Sequence, residues 1–148
     1  MRELVRFRSG TRVLCSRDGD LYLGRRRGFA RRLNTSRVAP DRPMVWLFPL
    51  LELEPSELPA DVLSELPLSR ILADALEDGY WAPFAVEWLK RTGVPEEVRP
   101  SLLAFAHGKS GTQAARHSAR RVLKATEPAG RGRAADDRLR PPDGAPDS

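Results

Sequence analysis

The chain has 148 residues, enough for one domain with its own core or for two very small lobes that share one. No apolar run approaches the roughly 20 residues of a membrane span; the longest candidate, Met44 to Leu53, is interrupted by Pro49 and Glu52. A single cysteine, Cys15, excludes an internal disulfide, and no apolar stretch follows the first charges, so no secretory signal is expected and a reducing, cytoplasmic setting is.

The net charge of +5 hides an uneven distribution. Residues 1–40 carry eleven arginines against Glu3, Asp18 and Asp20, about +8. Residues 41–105 carry about −7, residues 106–127 about +4, and residues 128–148 balance. A basic N-terminus invites a phosphate-binding reading, because arginine neutralises phosphate and releases counterions. A second explanation competes: only Lys90, Lys109 and Lys124 among the 25 basic residues are lysine, and alanine and proline are abundant, as GC-rich codon usage would produce.

In chain order, Glu3 to Phe7 and Thr11 to Cys15 read as strands joined through Ser9-Gly10. Asp18-Gly19 signals a type I′ hairpin turn into Leu21-Tyr22-Leu23, with Gly24 at its end. Phe29 to Leu33 is a weak fourth strand or a short helix, and Asn34 to Pro43 is loop. The compact apolar run Met44 to Phe48 reads as a buried strand. Residues 1–48 are thus an Arg-rich β-meander lobe, and residues 49–67 a Pro/Glu-rich connector with one or two helical turns after Pro59.

Residues 68–127 read as four helices. Gly79, Gly93 and Gly108 stand where helices end, in a position that favours a left-handed backbone, and Pro83 and Pro95 lie just inside the next starts. Leu68, Ile71, Leu72, Ala75 and Leu76 form one apolar face; Phe84, Ala85, Trp88 and Leu89 form the next. Glu96 and Glu97 suit the positive end of a third helix, in which Pro100 predicts a kink or a restart. Leu102 to Ala106 make that helix apolar nearly all round, so it is expected central and buried. Thr112 caps a fourth helix with a narrow stripe of Ala115, Ala119, Val122 and Leu123. Short loops make neighbouring helices antiparallel. The layout resembles two helical hairpins of the HEAT-like kind over roughly residues 68–126, on spacing and an Ala/Arg-rich last helix rather than on a diagnostic motif. Residues 128–148 hold one large apolar side chain, Leu139, and read as a disordered tail.

No catalytic pattern emerges. Gly108-Lys109-Ser110 lacks the upstream glycine of a phosphate loop, since Leu103 stands there, and follows a helix instead of a strand; a turn that caps two helices explains it. Asp18 and Asp20 are too few for a calcium loop, and His107, His117 and Cys15 have no zinc spacing. Cys15 has no base nearby in sequence and reads as a small buried apolar residue. No metal or cofactor is expected.

Two binding patterns remain. Arg25, Arg26, Arg27, Arg31 and Arg32 cluster around one turn, with Phe29 and Tyr22 as stacking surfaces, and Arg116, Arg120 and Lys124 stand at i, i+4 and i+8 on the last helix. Tyr80 and Trp81 sit at a helix junction, where an exposed aromatic can anchor a protein partner. The basic lobe has a further outlet, the acidic segment 52–78 of the same chain or of a second copy. The expected fold is α+β. The expected function is a non-catalytic protein-interaction module, an adaptor or regulatory subunit presenting a helical surface to another protein. The alternative is a nucleic-acid-associated protein that grips phosphate through the N-terminal arginines and the basic last helix. Membrane is not expected as a partner, and nothing in the residues sets the oligomeric state.

Overall fold

The two hairpins at the N-terminus share one turn geometry. In each, a residue pairs with the one four ahead (Phe7 N–H to Thr11 C=O at 2.8 Å, Ser16 N–H to Asp20 C=O at 2.9 Å), and a glycine N–H closes a tight turn onto the residue three before it. Gly10 and Gly19 take φ of 86° and 85°, and no non-glycine residue is left-handed among the described residues. These are type I turns with a glycine bulge, so Asp18-Gly19 is not the type I′ turn its sequence signals: Asp18 would need φ > 0, and the five-residue connection makes that unnecessary. The structure is a computed structural model that describes residues 1–25, 30–33 and 44–126. Arg26, Arg27, Phe29, the loop expected over 34–43 and the expected tail 128–148 lie outside the described residues.

Strands β1 (Arg2–Arg6), β2 (Arg12–Cys15), β3 (Leu21–Gly24) and β4 (Ala30–Arg32) form an antiparallel meander in the order β1-β2-β3-β4. Cross-strand partners share a face. Val5↔Val13↔Leu23↔Arg31 and Arg2↔Cys15↔Leu21 therefore lie on one face, and Glu3↔Leu14↔Tyr22↔Arg32 on the other. Val13, Cys15 and Leu21 are buried, which marks theirs as the core face. A bulge at Leu4 inserts one residue between Glu3 and Val5, so Leu4 and Val5 are both buried.

The run after the sheet is not a strand. Val45–Glu52 is a 3-10 helix, with Leu47, Phe48, Leu50 and Leu51 buried and Val45 and Trp46 exposed. At three residues per turn, Leu47/Leu50 and Phe48/Leu51 stack in two adjacent rows. Pro49 decides against the strand, because it cannot donate to a ladder and its fixed φ suits the helix. The acidic connector is ordered too. A second 3-10 turn (Pro55–Glu57) is held by Glu57, whose carboxylate accepts from the Glu54 N–H at 2.8 Å, and helix α1 (Ala60–Glu65) follows.

Helices α2 (Leu68–Leu76), α3 (Ala82–Thr92), α4 (Arg99–His107) and α5 (Gln113–Thr126) complete an α+β fold. Consecutive helices pack in pairs, α2 on α3 and α4 on α5; across the pairs, α2 meets α4 and α3 meets α5, while the 3-10 helix lies on α2 and α3. Ala115 and Ala119 are small enough to let α5 approach its neighbours closely, and both are buried. One continuous apolar cluster runs from Leu4 to Leu123 through every layer.

Three helix expectations change. Of the stop glycines only Gly93 is left-handed, at φ 87°; Gly79 and Gly108 are not, and the α4–α5 turn is made at Gly111, φ 71°. The reversal after α2 is instead held by Asp78, whose carboxylate accepts from the Tyr80 and Trp81 N–H groups at 2.9 and 3.3 Å. Helix α4 begins at Arg99 and not beside Pro95: Pro95 opens a separate turn, its carbonyl accepting from the Val98 and Arg99 N–H groups at 3.0 and 3.2 Å, and Pro100 lies in the first turn of the helix that starts afresh after it, where its missing N–H costs nothing. Finally, α4 buries Leu102, Phe105 and Ala106 but exposes Leu103 and Ala104; α5 and α2 cover only part of its girth.

Candidate functional site

The α2–α3 junction gathers aromatic rings. Tyr80 meets Trp81 edge to face at 5.1 Å and Phe84 at 5.8 Å, Trp81 meets Phe84 at 5.3 Å, and Phe48 of the 3-10 helix supports Trp81 from the core at 6.1 Å. Asp78 fixes the backbone that launches this cluster, so the rings are positioned from below and from the side. Tyr80 is 68% exposed despite its contacts with two rings, while Trp81 and Phe84 are half-buried. Glu77 is exposed beside Asp78, and Glu87 is exposed one turn beyond Phe84 on α3, so carboxylates border the rings.

The three tryptophans separate by environment. Trp88 is 2% exposed, and its Nε1–H donates to the Leu51 and Leu53 carbonyls at 3.1 and 3.0 Å, tying α3 to the end of the 3-10 helix. Trp81 belongs to the aromatic cluster. Trp46 is 51% exposed, with the Arg31 guanidinium over its ring at 5.4 Å.

The arginines separate as well. Arg31 and Arg32 are neighbours on β4 and so point to opposite faces. Arg32 pairs with Asp20 at 3.0 Å on the outer face, which raises its pKa, while Arg31 reaches Trp46 on the core face. Arg25 is exposed and lines a cavity of about 450 Å³ together with Arg31 and Trp46. Tyr22, on the outer face, is half-buried away from that cavity. On the last helix, Arg116 Nη1 donates to the Lys109, Ser110 and Gly111 carbonyls at 3.1, 3.0 and 2.9 Å, and Arg120 Nε to the Ala106 carbonyl at 3.0 Å. These two arginines close the end of α4 and the turn behind it. Lys124 is exposed. The Thr112 hydroxyl accepts from the Ala115 N–H at 3.1 Å, so the Gly-Lys-Ser loop is a turn held by a cap and a guanidinium.

The acidic segment takes up part of the basic lobe. Arg2 pairs with Asp61 and Glu65 of α1, and Arg91 of α3 with Glu54. On the outer face Glu3 holds Arg6 at 3.1 Å and lies 3.8 Å from Arg12; the Arg6 hydrogen bond keeps its carboxyl below the usual glutamate range. Burial, and after it the Glu65 carboxylate, push the Cys15 thiol up, the direction that disfavours a thiolate. Among the described residues no three His, Cys, Asp or Glu side chains gather as a metal site, and no helix is long and apolar enough to cross a membrane.

Sequence reasoning paired Tyr80 with Trp81 but left Phe84 and Phe48 out of the cluster, and it did not single out Trp46 as exposed. The signal for Phe84 was its i+4 spacing from Tyr80 across the start of α3; the signal for Trp46 was the i+3 repeat of leucines around Pro49. Compared with known proteins, the chain matches no family model, no curated protein and no solved structure.

Proposed function

We propose that the protein is a non-catalytic interaction module that docks a basic segment of a protein partner on the Tyr80–Trp81–Phe84 surface. The observation that carries this reading is Tyr80: a large ring, 68% exposed, held rigid by edge and tilted contacts to two further rings. Rigid exposed aromatics lose little entropy on binding and are the side chains that most often dominate protein interfaces. The bordering Glu77, Asp78 and Glu87 select for lysine and arginine, which also stack on aromatic faces. The nucleic-acid alternative has fewer spare cations than its eight candidate residues imply, because Arg32, Arg116 and Arg120 are engaged within the chain.

Selection from a random-peptide display library tests this, run on the wild-type protein and on a Tyr80→Ala/Phe84→Ala variant. Enriched peptides should carry lysine or arginine and be lost from the variant. Acidic peptides, or the same peptides on both proteins, would refute the reading.

A further inference from the structure

The cavity at the far edge of the sheet is built from two kinds of surface. Its apolar wall comes from Phe7, Leu23, Pro49 and the half-exposed Trp46 ring; its charged wall comes from Arg25 and Arg31. At about 450 Å³ it falls in the size range of small-molecule sites. The Ser9 and Thr11 hydroxyls, 3.2 Å apart, add donors at the hairpin tip that closes one end.

Two features of this place point to a ligand. Arg25 and Arg31, like several other arginines, have no carboxylate partner among the described residues, and these two line one cavity together. Two guanidiniums facing one cavity repel each other until an anion sits between them. Beside them, an indole is left 51% exposed with a guanidinium stacked on it, and Val45 next to it is exposed on the same cavity, while Leu47, Phe48, Leu50 and Leu51 of that helix are buried. Inorganic phosphate would satisfy the arginines and leave the indole bare. A planar aromatic ring bearing phosphate satisfies both walls.

We propose that this cavity binds a nucleotide, with the phosphate on Arg25 and Arg31 and the base packed against Trp46. The Arg31–Trp46 stack pre-positions the two walls: the guanidinium swings toward the phosphate while the indole receives the base. Such stacking tolerates any base, because every base has a π-face. The nucleotide can come free or as one unit of a single strand, and the chemistry recognised is the same.

The test is a titration of the ¹⁵N-labelled full chain with AMP, followed at the three indole N–H signals. AMP should move the Trp46 signal and leave Trp88 in place. Adenosine and inorganic phosphate should each bind at least tenfold more weakly than AMP. Arg25→Ala/Arg31→Ala and, separately, Trp46→Ala should weaken AMP by roughly five- to hundredfold, with the melting temperature lowered by no more than about 5 °C, because all three side chains are largely exposed. A five-nucleotide oligo-dA distinguishes the sources. Binding more than tenfold tighter than AMP identifies a strand, with affinity falling roughly two- to threefold between 50 and 200 mM salt for the one phosphate that Arg25 and Arg31 neutralise. Equal affinity identifies a free nucleotide. The proposal is overturned if neither AMP nor oligo-dA moves Trp46 at millimolar concentration, if the variants bind as wild type, or if phosphate alone binds as tightly as AMP.

Discussion

Arg2 and Arg31 occupy the same face of the same sheet at its two edges, and they meet opposite surroundings. Arg2, on β1, reaches Asp61 and Glu65 of α1. Arg31, on β4, reaches the ring of Trp46 and shares an open cavity with Arg25. At one edge the acidic connector folds back and neutralises the sheet; at the other the chain supplies an aromatic ring and a second cation. Net charge therefore says little about where this molecule can bind. What matters is which cations the fold has already matched.

That contrast can be broken or sharpened by substitution. The largest effect belongs to the tryptophans: Trp88→Ala should cost about 3–5 kcal/mol, since it empties a buried site and orphans two carbonyls, whereas Trp46→Ala should cost under about 1 kcal/mol. Denaturant melts of the two variants would measure the difference, and similar losses would mean that Trp46 is a core residue. Gly111→Ala should cost about 1–3 kcal/mol, because φ 71° disfavours a side chain and the added Cβ would sit 2.9 Å from the Phe105 ring. Gly79→Ala should be neutral or slightly stabilising, since its φ is ordinary and nothing lies within 4 Å of the new atom.

Among the cations, Arg116→Ala should cost about 1 kcal/mol through the three carbonyls it serves, and Arg25→Ala less than about 0.5 kcal/mol. Arg2→Ala should be small as well and should shrink further in high salt, because its pairs are exposed. The smallest effect is that of pH on Glu3. Its folded pKa lies below the ordinary 4.5, so its contribution is complete above that value and fades as the pH falls below it. Acid melts of Glu3→Gln against wild type would show the two curves converging at low pH.

The strands, the hairpin positions and the four longer helices were legible because alternation, turn glycines and 3.6-residue spacing are local signals. The 3-10 helix was not, because a short apolar run satisfies strand and helix alike, and the strand expected over Met44 to Phe48 stops one residue short of Pro49, the residue whose missing N–H argues against a ladder there. Gly79 was misread for a related reason: a glycine in a stop position looks the same whether it or its neighbour Asp78 makes the turn. Tyr80 and Trp81 could be picked out because they are adjacent in sequence. The Arg25–Arg31–Trp46 cavity could not, since it joins β3, β4 and the 3-10 helix, and only strand register tells which of Arg31 and Arg32 faces inward.

The most direct measurement follows the three indole N–H signals of the full chain during two titrations, one with a short arginine-rich peptide and one with AMP. The peptide should move Trp81, the nucleotide should move Trp46, and Trp88 should stay fixed in both. If the peptide leaves Trp81 unmoved, the aromatic junction is not a docking surface for a basic partner; if both ligands move the same signal, the two surfaces are not separate sites.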